Sequence, residues 1–400
     1  MRRTPRLLIV TIFLITLIVG ITFAIKYAKG YRPSFSKRTL EGTGLLAANS
    51  TPKGATVFIN NKLTTATDDT LNLPPGEYQV KIAKDGYISW EKTLKLEPEL
   101  VTQTNARLFP SVPNLKPLTF SGVTNPIPSP DGEKIVFSVE NATIDTKNGL
   151  YVLDLLNRPL SLNSDPRQIS RTSAKYDLAK AKLTWSTDSN QILATLNPGQ
   201  DNEINILLNP STFNDIANFK DVTAQLPVIK KDWQQTAATK LHEQFKILPI
   251  EVQQIATESA KLITFSPDEK KLLYVATTSA KLAENLIPPL PASSTQTQTR
   301  QLQPNNYYIY DLEEDKNFLV APFNELVPIN WYPDSNHIIL VEEGKIIIAE
   351  YDGTNRQIVY AGPFANNFTF PWPDGSRLVI MASLNGGTNL PPNLYSINLK

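Results

Sequence analysis

Cysteine is missing from all 400 residues. Its absence excludes disulfides, thiol catalysis, thiolate metal sites and lipidation on cysteine. An exported domain made from this chain must hold together through its own core. Histidine is almost missing too: His242 and His337 are the only two, and neither has a ligand spacing such as His-x-x-x-His. There is no Gly-x-Ser-x-Gly elbow to present a nucleophile, no P-loop, no Gly-x-Gly-x-x-Gly and no calcium loop of alternating aspartates. No cofactor or metal is expected. Acidic residues are absent from the first 40 positions, which hold eight basic side chains; removing these from the 39 in the whole chain leaves 31 basic against 38 acidic groups, a net of −7 for the body. An acidic body is a poor partner for polyanions, because nucleic-acid affinity rests on phosphate neutralisation, so nucleic acid is set aside. A chain this long is expected to form two or more domains.

What is present begins with an apolar run. Leu7 to Ile25 is 19 residues without a charge, broken only by three threonines and Gly20. As a helix it would span about 28 Å, close to a hydrocarbon core of roughly 30 Å. A cleaved signal peptide is the competing reading, but the run is long for one, and Thr22-Phe23-Ala24 is the nearest thing to a cleavage site. Basic residues flank it on both sides, so charge alone does not orient it. The expectation is an N-in, single-pass anchor over residues 1–26 with a short cytoplasmic tail. Residues 27–43 form a stalk, and the body lies on the extracellular or periplasmic side.

From 44 to 109 short alternating strands meet strong turn signals. Ala55 to Ile59 is apolar and β-branched, Asn60-Asn61 tolerates left-handed backbone, and Pro74-Pro75-Gly76 is a second turn. Tyr78, Val80 and Ile82 then alternate on one face, Asp85-Gly86 turns the chain, and Trp90, Leu94 and Leu96 follow. No helical period interrupts this, and a small antiparallel β-sandwich is predicted. Pro52-Lys53-Gly54-Ala55, Leu73 to Tyr78 and Lys84-Asp85-Gly86-Tyr87 together resemble the PEGA domain, with Lys53 where that family has glutamate. The resemblance implies a module of microbial surface proteins without catalytic residues.

The rest of the chain, 111–400, repeats. Five times a Pro/Thr-Asp turn precedes an apolar strand, at Asp131, Asp188, Asp268, Asp334 and Asp374, and a second strand follows each. An aromatic residue usually precedes the turn (Trp185, Phe265, Trp331, Trp372). Proline or threonine leads into the turn and aspartate caps it by accepting from amides two residues on. These units resemble TolB-like, WD-repeat-like propeller blades, and the fold class expected is all-β, with a β-propeller of five blades and a sixth, divergent one left open. The aspartates lie 57, 80, 66 and 40 residues apart, against about 40–45 for a blade. The 80-residue gap is explained by a helical insert at about 211–261, where Ile229, Trp233, Ala237, Leu241 and Phe245 recur every fourth position and Pro249 opens a second helix. The 66-residue gap holds a Pro/Ser/Thr/Gln tract, about 279–304, read as a flexible solvated loop. Because the chain ends after the third strand of its last repeat, Leu115 to Ser121 is predicted to complete that blade and cover its edge.

One aspartate per repeat at the same turn reads as architecture rather than as a glycosidase pair. Asn49, Asn141 and Asn367 head glycan-acceptor tripeptides, which matter only in a cell with that machinery. The expected function is a non-catalytic, membrane-anchored envelope protein whose propeller binds a protein or polysaccharide partner, with the PEGA-like unit as spacer or wall contact. Trp233, Leu241 and Phe245 on the insert are candidate docking residues; packing against the propeller's own side is the competing role. Two alternatives stand beside this: an enzyme of lyase or glycosidase type with a site at the channel mouth, and a periplasmic ligand sensor, which would need a partner for output because only six residues precede the helix. Assembly state is open.

Overall fold

In the computed structural model, residues 4–28, 30–34, 39–156, 165–197, 199–200, 202–288, 290, 294–384 and 391–400 are described. The first element is helix α1, Thr4–Ala28. Its stretch Leu8–Ala28 is long and apolar enough to cross a membrane by length and composition, and every side chain along it is exposed. Two of its hydroxyls are satisfied within the helix, as suits an apolar medium: Thr16 and Thr22 donate to the carbonyls of Ile12 and Ile18. The chain divides into two compact units, one of Met1–Leu108 with Pro288–Thr297, the other of Phe109–Ile287 with Gln298–Lys400.

In the first unit, strand alternation builds two facing sheets. One runs Lys62–Ala66, Thr56–Ile59, Gly76–Ala83, Trp90–Leu96, antiparallel throughout. The other runs Val101–Gln103, Gly44–Ala48, Asp69–Leu73. Val57, Val80, Ile82 and Trp90 from the first sheet meet Leu46 and Ala48 from the second in a shared core. Asn60 and Asn61 take left-handed φ values of 50° and 63°, as their turn requires. The sandwich departs from the antiparallel expectation at one place. Gly44–Ala48 and Val101–Gln103 pair in parallel, as do Ser50–Thr51 and Ala106–Arg107. The segments entering and leaving the module run side by side in the same direction, a long-range pairing that local alternation does not encode.

In the second unit, the repeated turns generate up-and-down sheets. The first contains Thr124–Pro128, Lys134–Val139, Gly149–Asp154 and Arg167–Arg171. The second has three strands, Lys182–Trp185, Ile192–Leu196 and Ile204–Leu208. The third is Ala260–Phe265, Lys271–Ala276, Asn306–Asp311, Lys316–Pro322, and the fourth is Asn330–Trp331, His337–Glu342, Lys345–Glu350, Gln357–Ala361. The last contains Thr369–Pro371, Arg377–Ala382 and Asn393–Asn398, and Leu115–Pro117 pairs antiparallel with Asn393–Asn398 to give it a fourth strand. Residues from the start of the unit thus complete the sheet at its end and cover its edge.

Apolar residues on both faces of these sheets fuse neighbours into common cores. Val136, Leu150 and Val152 pack with Leu183, Trp185 and Ile192; Leu273 and Ile309 pack with Ile338 and Leu340. Val379 and Leu394 of the last sheet pack with Ile135 and Phe137 of the first. This return of the last sheet onto the first is propeller connectivity. Gly149 shows how tightly the strands approach: a side chain there would meet the Ser170 carbonyl, and its φ of 143° suits glycine.

Two helices lie between the second and third sheets in the chain, α2 (Leu226–Phe245) and α3 (Ile250–Glu258). Pro249 stands at the N-cap of α3. α3 buries Val252 and Ala256 against Leu272, Tyr274 and Tyr310 of the third sheet. α2 buries none of its residues. The tract at 279–304 corrects the expectation of a solvated loop. Its ends pair as strands Ala280–Lys281 and Gln301–Leu302, Leu282 and Leu302 are in the core, and Arg300 forms a buried ion pair with Asp315. Within it Pro288–Thr297 belongs to the first unit: Thr295 Oγ1 accepts from the Lys95 amide at 3.2 Å and Gln296 Nε2 donates to the Thr93 carbonyl at 2.8 Å.

Candidate functional site

The five repeated aspartates occupy one backbone device. In each turn the amide of the residue two before the aspartate donates to a carbonyl five residues on: Ser129 to Lys134, Ser186 to Gln191, Ser266 to Lys271, Tyr332 to His337 and Trp372 to Arg377. The residue after the aspartate adopts left-handed backbone, with φ between 60° and 74° at Gly132, Ser189, Glu269, Ser335 and Gly375. The carboxylate then accepts from the amide two residues on: Glu133, Asn190, Lys270, Asn336 and Ser376.

Serine completes the device in three turns. Ser129, Ser186 and Ser266 each donate a hydroxyl to the aspartate two residues later, and accept from the amides of Lys134, Gln191 and Lys271. The Ser-x-Asp pattern was visible in the sequence and is part of the site that the aspartates alone did not reveal. These bonds set the charge state. At Asp131 and Asp268 burial opposes ionisation but is outweighed by the hydroxyl and amide donors, so both carboxyls titrate below their usual range. At Asp374 burial is likewise outweighed by donors from Ser376. Asp188 is lowered chiefly by Ser186 and then Asn190. Asp334 also holds His337, whose Nδ1 lies 2.9 Å from Oδ2, and the imidazole packs edge-on to Phe109 and Tyr332. His242 is exposed on α2. Among the described residues no group of three or more His, Asp or Glu could hold a metal ion.

Turns of adjacent sheets are tied together. The Asp131 amide donates to Ser189 Oγ at 3.1 Å and the Asp268 amide to Ser335 Oγ at 3.0 Å; the Tyr332 hydroxyl donates to the Gly375 carbonyl. Tryptophans clip the same junctions: Trp185 Nε1 reaches the Ile127 carbonyl at 3.0 Å and Trp331 Nε1 the Thr264 carbonyl at 3.4 Å. Between the second and third turns α2 takes the place of such a bond. Thr187 Oγ1 lies 3.4 Å from the Trp233 carbonyl, and Gln244 Nε2 donates to Glu269 at 2.8 Å.

The three candidate docking residues are not brought to one face. Trp233 lines a cleft, Leu241 is exposed, and Phe245 packs against the third-sheet core and the Phe265 ring. A four-residue step overshoots a helical turn by about 40°, so twelve residues carry the stripe roughly a third of the way round. The cleft, about 450 Å³, lies between α2 and the turn of the second sheet, with Thr187, Asp188, Asn209, Asn214, Asp232 and Trp233 in its walls. A wider depression of about 1040 Å³ includes Lys261, Phe323, Glu342 and Arg356, but its cations are engaged. Lys261 sits 4.2 Å from the Phe323 ring centre, and Arg356 bonds Glu342 and the Val320 carbonyl.

The PEGA domain family matches residues 43–111. No curated protein matches the chain. Among solved structures, a putative TolB from Agrobacterium tumefaciens is similar at 14% identity and a TM-score of 0.23, over 69% of this chain and 78% of that one. TolB from Acinetobacter baumannii gives 14% identity and 0.23, over 81% of this chain and 60% of that one. An oligogalacturonate lyase in complex with manganese gives 10% identity and 0.29, over 81% and 86%. At these scores no residue correspondence follows.

Proposed function

We propose that this chain is a membrane-anchored, non-catalytic binding protein of the cell envelope. α1 is an uncleaved N-in span, the PEGA domain is a spacer or wall contact, and the second unit is a five-bladed propeller that engages a protein or polysaccharide partner. One observation carries the non-catalytic reading: the repeated carboxylates at Asp131, Asp188, Asp268, Asp334 and Asp374 are all spent on capping their own turns. At Asp131, Asp188, Asp268 and Asp374 the capping donors also hold the carboxyl below its usual range, and a carboxylate kept ionised on its own turn amides is the opposite of a poised acid or base. The envelope reading is supported by a PEGA domain at 43–111 following a helix able to span a bilayer.

The test is cosedimentation of the full chain, in lipid nanodiscs, with isolated cell-envelope material before and after protease or glycan-degrading treatment. Saturable pelleting abolished by one treatment is the expected result and names the partner class. Absence of saturable pelleting would refute the reading.

A further inference from the structure

We infer that the cleft between α2 and the second-sheet turn is a carbohydrate subsite, taking a short segment of an uncharged hexose or N-acetylhexosamine polysaccharide. The inference rests on the binding-protein reading above and supplies its ligand class and place. The cleft exists because the repeat is broken there. The second sheet has three strands, and beside its edge strand Ile204–Leu208 only a single bridge, Ile206 to Asp221, stands where a fourth strand would run. α2 then crosses near the turn, leaving a hollow of about 450 Å³, within the range of small-ligand pockets.

Its chemistry suits a sugar. Trp233 supplies an aromatic face against which the C–H face of a pyranose packs, and an indole N–H that bonds nothing among the described residues. Asn214 is fully occupied holding the wall, through the carbonyls of Ile169, Asn209 and Thr212. Among the described residues, groups left without a bond remain around the cleft: the side-chain amide of Gln191, the Asn209 Nδ2 (its Oδ1 accepts from the Ser211 amide), the Thr236 hydroxyl and the Asp232 carboxylate. That set mixes donors and acceptors, as a ligand whose hydroxyls do both requires. The charge selects within the class. Asp188, kept ionised by Ser186 and Asn190, and Asp232 both border the cleft. Two carboxylates and no lining cation disfavour uronates, phosphates and acidic peptides.

The experiment is isothermal titration of the full chain in nanodiscs with chitohexaose, maltohexaose and hexagalacturonate. Saturable binding of an uncharged hexasaccharide is expected, weakened at least tenfold in Trp233→Ala and in Thr236→Arg, which fills the cleft, and retained in Trp233→Phe. Neither residue is buried, so both variants should unfold at the wild-type temperature. Failure of both uncharged sugars, preference for hexagalacturonate, or unchanged binding in both cleft variants would each overturn the subsite. Envelope pelleting separates the two claims: a Trp233→Ala chain that pellets like wild type sinks the subsite and spares the binding-protein reading, whereas a wild-type chain that fails to pellet sinks that reading.

Discussion

The junction between the first and second sheets and the junction between the second and third are built from the same repeat and end differently. At the first, Trp185 is buried in a core shared by both sheets, its indole donates to Ile127, and the two turns are bonded through Ser189. At the second, a 20-residue helix without a buried side chain bridges the turns through two side-chain contacts. At the first junction the turn aspartates and serines are bonded within and between the turns, and the junction is closed. Where the repeat is interrupted, polar groups and an aromatic ring are left over around a hollow. The first kind of junction serves stability; the proposed subsite places recognition at the second.

Substitutions should separate them. Trp185→Ala empties a shared core and unpairs a carbonyl, and should cost about 3–5 kcal/mol by chemical denaturation. Asp268→Ala removes the acceptor of Ser266 and Lys270 while leaving its own amide bond to Ser335; by analogy with helix caps it should cost about 1–2 kcal/mol. Acid tests the turns together. The carboxyls of Asp131, Asp188, Asp268 and Asp374 are lowered in the folded state, so their contribution is fully present above the unfolded value of about 3.9 and is lost as pH falls through the lower folded values. Stability of the second unit should therefore decline below about pH 4, and a chain with all four changed to Asn should show a flatter acid limb in near-ultraviolet circular dichroism. Smallest of all, Trp233→Ala or Leu241→Ala should change stability by less than about 0.5 kcal/mol. A large loss from Trp233→Ala would show that α2 is part of the scaffold.

The repeat was legible because each turn carries its own instructions: a proline or threonine, an aspartate and a following apolar strand are local signals. The serines two residues before Asp131, Asp188 and Asp268 were equally local, and reading them would have shown why those carboxylates are occupied. The closing strand from Leu115 followed from counting strands. α2 was legible as a helix from its four-residue spacing. Its exposure was not, since Trp233 and Phe245 look alike in sequence while one borders a cleft and the other a core. Least legible were contacts over long separations, such as the parallel pairing of Gly44–Ala48 with Val101–Gln103 and the bond from Lys95 to Thr295. Nothing within a local window distinguishes a solvated Ser/Thr/Gln stretch from one that meets a strand 200 positions away.

Amide hydrogen exchange of the full chain tests the division between closed and open junctions most directly. The amides of Glu133, Lys134, Lys270 and Lys271, bonded to Asp and Ser side chains, should exchange only with global unfolding, while the middle of α2 should exchange far faster through local opening. Protection of α2 equal to that of the turns would contradict the account, placing the helix within the scaffold and closing the cleft beside it.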